Sequence, residues 1–119
     1  MSYSYDEQNI FAKILRGDIP NKTVLETEHA LAFEDIAPQA PTHVLVIPKK
    51  KITGFSKVRH EDVEALGQYM KRISEVAEKL GLEEDGYRVV FNQGSDGGQT
   101  VEYIHAHIIG GRSLNWPPG

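Results

Sequence analysis

Residues 101–109, Val-Glu-Tyr-Ile-His-Ala-His-Ile-Ile, followed by Gly110-Gly111, constrain the fold more than any other stretch. β-Branched and aromatic residues dominate and two glycines end the run, so it reads as a strand from Val101 to Ile109. Side chains at i and i+2 of a strand point to the same face. Tyr103, His105 and His107 therefore share one face, and Ile104, Ala106 and Ile108 share the other. Such a strand must pack its isoleucine face on a core and turn its polar face to a cleft. Consecutive members of the polar row sit roughly 7 Å apart along the strand, close enough for one small anionic group to lie between two imidazoles.

The rest of the chain supplies partners for that strand. Ile10, Phe11, Ile14 and Leu15 lie at helical spacing, and Gly17 and Pro20 stop the helix after Arg16. Thr23–Glu26 and Ala30–Glu34 read as two short strands joined by a turn at Thr27-Glu28-His29. Pro38 and Pro41 make a loop of Asp35 to Pro41. His43–Ile47 is a strand ended by Pro48 and Lys49-Lys50-Lys51, a run expected to be a solvated strand end. Its alternation places His43, Leu45 and Ile47 on one face. Val63, Leu66, Met70, Ile73, Ala77 and Leu80 recur at steps of three and four, the apolar stripe of one long helix. Glu61 and Asp62 near its start, Lys79 near its end and Gly81 just beyond suit its dipole and its stop. Tyr87–Phe91 is a further strand, and residues 92–99 form a glycine-rich loop. Without regular alternation of strands and helices, α+β with a mostly antiparallel sheet is the expected class. One domain of 119 residues is expected, with residues 1–9 loosely ordered and residues 113–119 an extended tail.

Charge and composition remove several functions. A net charge of -4 argues against a nucleic-acid backbone or an acidic membrane surface as main partner. The chain has no cysteine, so disulfide and thiolate chemistry are excluded. The apolar runs are too short to span a bilayer, and the polar N-terminus lacks the regions of a signal peptide. A cytoplasmic protein is expected.

Two chemistries suit His43, His105 and His107. Imidazoles at i and i+2 on a strand can share a metal ion with a third ligand such as His43. Alternatively, a neutral imidazole nitrogen attacks phosphorus or an acyl carbon and gives a covalent intermediate that water opens. The preceding loop favours the second. Gly94, Gly97 and Gly98 permit a nest of inward N–H groups, the kind that binds phosphate. Asn92, Ser95, Gln99 and Thr100 add side-chain donors. The loop is no Walker motif, having neither Gly-Lys-Ser/Thr nor a following helix. Asp35 is placed to accept hydrogen bonds from sugar hydroxyls, and Phe11, Ile14, Ile19 and Leu45 to wall an apolar pocket for a base. No Asp or Glu follows the histidine spacing closely enough to complete an obvious metal set. Arg112 serves structure as readily as function.

Several of these segments together resemble the histidine-triad (HIT) family, most closely its HINT-like branch of purine nucleoside phosphoramidases. They are Gly97-Gly98-Gln99-Thr100-Val101, His105-Ala106-His107-Ile108-Ile109-Gly110-Gly111-Arg112 and Trp116-Pro117-Pro118-Gly119, with Asp35–His43 and Val46–Lys50 in support. The likeness runs from about Phe11 to Gly119. It implies a five-stranded sheet with one short and one long helix, assembled as a homodimer. It also implies hydrolysis of the P–N bond of a purine nucleoside 5′-phosphoramidate or aminoacyl adenylate, with AMP or GMP as the nucleotide part and no cofactor.

By the same resemblance His105 is the nucleophile, His107 contacts the phosphate and His43 supports the site. Asn92, Gly98, Gln99 and Thr100 match phosphate-side and leaving-group contacts, Asp35 and Ile36 the ribose pair, and Phe11, Ile19 and Leu45 the base pocket. Three departures stand out. Tyr103 occupies the place of the first triad histidine, where a phenol can still make one hydrogen bond. Thr100 stands where serine is usual. Asp6–Asn9 lack the Cys-x-x-Cys zinc pair of some relatives, so no zinc is expected. Two other readings remain: a nucleotide-binding or scaffold protein without turnover, and a metalloenzyme using His43, His105 and His107.

Overall fold

Sheet order and helix placement follow from which residues can be buried on both sides. In the computed structural model, which describes residues 5–119, the chain runs α1 (Ile10–Leu15), β1 (Thr23–Glu26), β2 (Ala30–Glu34), β3 (Thr42–Pro48), α2 (Val63–Lys79), β4 (Tyr87–Val90) and β5 (Ala106–Gly110). The five strands form one sheet in the order β1-β2-β3-β5-β4, every neighbouring pair antiparallel. The α+β expectation holds. β3 is central and buried along almost its whole length.

Alternation along β2 and β3 divides the core in two. Ala30, Ala32, Val44 and Val46 meet Ile104, Ala106 and Ile108 on the α2 side, where Tyr69, Ile73, Val76 and Ala77 cover them. Leu31, Phe33, Leu45, Ile47 and Tyr103 face the opposite way and pack on Phe11 and Ile14 of α1. Each fully buried aliphatic side chain contributes about 1.5–3 kcal/mol. Asp62 caps α2 by accepting the Ala65 N–H at 2.7 Å, and Gly81 leaves it at φ +73.

Two expectations change. The buried stripe of α2 is rotated: Tyr69 and Val76 lie inside, while Val63 is 86% and Met70 52% exposed. Tyr69 is the cause, because its ring is apolar and its hydroxyl donates to the Val46 carbonyl at 2.7 Å. The histidine strand is shorter than expected. Only Ala106–Gly110 join the ladder, because the Ile104 N–H donates to the Ile52 carbonyl and not to β3. The face alternation of Tyr103, Ile104 and His105 nevertheless continues beyond it. Finally, the lysine run is exposed as expected but is also paired: Lys49 meets Glu26, Lys50 meets Glu61 and Asp62, and Lys51 meets Glu7. A 3-10 helix at Phe55–His60 had no signal in the hydrophobic pattern.

Of the first nine residues, 1–4 lie outside the described residues. Tyr5–Asn9 make specific contacts: Tyr5 stacks edge-on to Tyr103 with ring centroids 6.0 Å apart, and Asn9 caps α1. In the tail, the Arg88 guanidinium donates to the Asn115 carbonyl at 2.9 Å and lies near the Trp116 ring. Among the described residues no helix is long and apolar enough to cross a membrane.

Candidate active site

The histidines converge because β3 and β5 are neighbours. Leu45 pairs with His107 and His43 with Ile109, which makes His43 and His107 diagonal neighbours on one face. His43 Nε2 and His107 Nδ1 lie 2.9 Å apart. His105, two residues before His107, stands with its ring 5.0 Å from that of His107 and 4.8 Å from Phe11. His43 and His105 are buried and His107 is half-buried.

Main-chain groups determine where the ring protons sit. The Gln39 N–H donates to His43 Nδ1 at 3.0 Å, so that nitrogen carries a lone pair and the proton is on Nε2. That proton is then donated to His107 Nδ1, which leaves the N–H of His107 on Nε2. His105 Nδ1 lies 2.8 Å from the Tyr103 carbonyl. A carbonyl only accepts, so Nδ1 carries the proton and Nε2 an unshared pair. The site thus offers one nucleophilic nitrogen on His105 and one N–H donor on His107. Burial lowers the pKa of both rings. For His107 the nearby His105 and His43 add to it, and the value falls to about 4. Both imidazoles are neutral at pH 7.

A cavity of about 950 Å³ opens beside them. It gathers ten of the residues expected from sequence. His43, His105 and His107 form its polar wall, with Asp35, Ile36 and Thr100 beside them. Phe11, Ile14, Ile19 and Leu45 form its apolar wall. Ile36 is 97% exposed at the rim, an unusual position for an isoleucine.

Asn92, Gly98 and Gln99 do not line this cavity. The Asn92 amide donates to the Gly97 carbonyl at 2.7 Å. Gln99 Oε1 accepts the Gly94 N–H, while its amide nitrogen donates to the Thr53 and Val101 carbonyls, each at 3.0 Å. The Gly98 and Gln99 N–H groups are also engaged, with Ser95 and Gly94 carbonyls. The expected nest is therefore internally satisfied at Gly94, Gly98 and Gln99, and the loop holds itself and Thr100 in place.

Tyr103, expected on the face that lines the cleft, is fully buried and lies outside the cavity wall. Its hydroxyl does not meet His105; it donates to the Pro48 carbonyl at 2.6 Å and lies 3.2 Å from the Lys50 carbonyl. Burial raises its pKa far above the ordinary tyrosine value. The residue supports His105 through its main-chain carbonyl instead.

Two groups escaped the sequence. One is the Gln39 N–H. The other is the proximity of Asp35, whose Oδ2 lies 3.4 Å from His43 Nε2. Extending the β2–β3 register one step beyond Glu34–Val44 places Asp35 opposite His43, and the Asp35 N–H does donate to the His43 carbonyl at 3.0 Å.

Ligand atoms of Asp35, His43 and His107 all lie within 4.8 Å of one another, a spacing that suits a metal ion. This set differs from the His43–His105–His107 set of the alternative metalloenzyme reading. Its proton arrangement does not fit a metal. The shared nitrogen of His43, Nε2, carries the proton, and moving it to Nδ1 would set it against the Gln39 N–H.

Residues 16–114 match the HIT domain family. A 14 kDa zinc-binding protein of Zea mays is 51% identical over 116 residues, covering 96% of this chain and 90% of its own. Among solved structures, a HIT family hydrolase from Legionella pneumophila superposes with a TM-score of 0.87 at 50% identity, covering 92% of this chain and 98% of that one. A histidine triad nucleotide-binding protein from Candida albicans gives 0.78 at 30% identity, covering 92% and 83%.

Proposed function

Since this chain belongs to the HIT domain family, we propose that it is a metal-independent hydrolase of purine nucleoside 5′-phosphoramidates or aminoacyl adenylates. The observation that carries the proposal is the free Nε2 of His105, held in the cavity by its Nδ1–H on the Tyr103 carbonyl. Relatives named as a hydrolase and as a nucleotide-binding protein support it.

In this reading the nucleotide lies along the cavity. Phe11, Ile19 and Leu45 take the base, and Asp35 and Ile36 the ribose. His105 Nε2 attacks phosphorus as the P–N bond breaks, and the departing nitrogen takes a proton from solvent. The resulting nucleotidyl-histidine is cationic, and its Nδ1–H strengthens its bond to the Tyr103 carbonyl. The Nε2–H of His107 donates to a non-bridging oxygen as charge builds there. Thr100 borders the leaving group, while Asn92, Gly98 and Gln99 brace it from behind. Water then opens the intermediate, and AMP or GMP leaves. No cofactor takes part.

A homodimer in the cytoplasm belongs to the same proposal. Exposed Val63 and Met70 on α2, with Tyr87 and Val89 on the edge strand β4, offer apolar surface for a second copy. The name of the maize relative favours one alternative, metal held by Asp35, His43 and His107. A nucleotide-binding protein without turnover is the other.

Turnover of adenosine 5′-phosphoramidate with chelator present separates all three. The native protein should release amine, and His105→Ala should lose at least about a hundredfold in rate. Loss of activity to chelator would favour the metal. AMP binding without turnover in either protein would favour the binding module.

A further inference from the structure

Gln39 is held more firmly than a residue of an exposed loop needs to be. Its side-chain amide donates to the Ala37 carbonyl at 3.0 Å, and its own carbonyl accepts from Arg112 Nη2 at 3.0 Å. Arg112 reaches it because Gly111, at φ +90, turns the chain after β5 directly against Pro41. A Cβ at Gly111 would stand 2.9 Å from the Pro41 Cβ. Held in this way, Gln39 directs its N–H at the site, where it donates to His43 Nδ1.

We propose that the main-chain N–H of Gln39, clamped by Arg112, is the positioning group that selects the proton arrangement of the His43–His107 pair. Without that donor, His43 is free to carry its proton on Nδ1. Its Nε2 then presents a lone pair, and His107 must turn its own proton inward to meet it. His107 Nε2 would become an acceptor and would repel a phosphate oxygen. If His107 instead keeps its proton on Nε2, both facing nitrogens present lone pairs beside Asp35 and make a site for a divalent cation. One amide thus keeps the pair a hydrogen-bond donor and keeps metal out. The effect on turnover rests on the proposed phosphoryl chemistry; the proton arrangement does not.

Two measurements test it. The first is the ¹⁵N histidine spectrum of the native protein, which should show His43 unprotonated at Nδ1 and protonated at Nε2. A proton on Nδ1 would overturn the inference. The second compares Gln39→Pro, which deletes the N–H, with Gln39→Ala, which keeps it, and with Arg112→Ala. In chelator, Gln39→Pro should lose about tenfold or more in kcat with little change in KM, and more than Gln39→Ala. Arg112→Ala should fall between them. Calorimetry with zinc alone should show tighter binding to Gln39→Pro than to the native protein. Equal kcat and equal zinc binding in Gln39→Pro and Gln39→Ala would also overturn it. Should Gln39→Pro fail to fold, the native spectrum and Arg112→Ala decide. A native protein that shows the stated proton arrangement yet hydrolyses no phosphoramidate would remove the proposed function and leave this inference standing.

Discussion

The two faces of one sheet have been given different work. On the α2 face Val44, Val46, Ile104, Ala106 and Ile108 pack in one hydrophobic cluster and are almost wholly buried. On the α1 face, residues one step away in sequence are His43, Leu45, Tyr103, His105 and His107, and all of them except the buried Tyr103 border a cavity. The backbone is shared, so the difference lies entirely in side chains of alternating sign. Polar chemistry on one face is tolerated because the other supplies most of the apolar burial. It also means that a one-residue slip of β5 would exchange the two sets.

That division predicts a crossed pattern of mutational effects. Ile108→Ala should cost about 2–5 kcal/mol in urea denaturation, yet leave AMP affinity unchanged in the protein that remains folded. His105→Ala should do the reverse, losing turnover with little change in the unfolding midpoint. Similar stability losses in both variants would break the division.

Acid should act on one face alone. The His107 pKa lies at about 4 in the folded protein against an ordinary 6.5. Between those values the unfolded chain binds a proton that the folded chain does not, so stability falls as pH drops from about 6.5 to about 4 and is restored as pH rises. His105 shifts in the same direction. A denaturation series across that window should show the slope, and His107→Asn should reduce it. A slope that His107→Asn leaves intact would place the titrating group elsewhere.

The smallest effect is expected at the outer surface of α2. Met70→Gln should change monomer stability by no more than about 0.5 kcal/mol, while sedimentation shows weaker self-association. Association unaffected by it and by Val63→Ser would exclude this surface as the dimer contact.

Much of this was legible in the chain. β1 and β2 have the bounds their alternation predicts, and β3 and both helices lie within a residue or two. Apolar spacing reports burial directly, so strong periods survive. It misled at Tyr69, where an aromatic with a polar end does not announce which side it will take. It overextended β5, because periodicity shows faces but not whether a partner strand is present. His105 and His107 were legible because alternation along one strand places them on one face, while His43 joins them only through the pairing of β3 with β5. Gln39 was not, since its contribution is a main-chain N–H whose direction depends on how a proline loop closes. Nor was the closeness of Asp35 to His43, which requires the pairing of β2 with β3.

The three lysines after β3 have one more consequence. Each reaches a different segment: β1, the start of α2 and the stretch before α1. The carbonyls of Pro48 and Lys50, in the same few residues, receive the Tyr103 hydroxyl. Position along the chain therefore matters here more than residue identity. Replacing one lysine loosens one exposed contact. Inserting one residue between Pro48 and Ile52 would pass every side chain to the wrong neighbour and draw the acceptors from beneath Tyr103. This short connection is open to substitution and closed to changes of length.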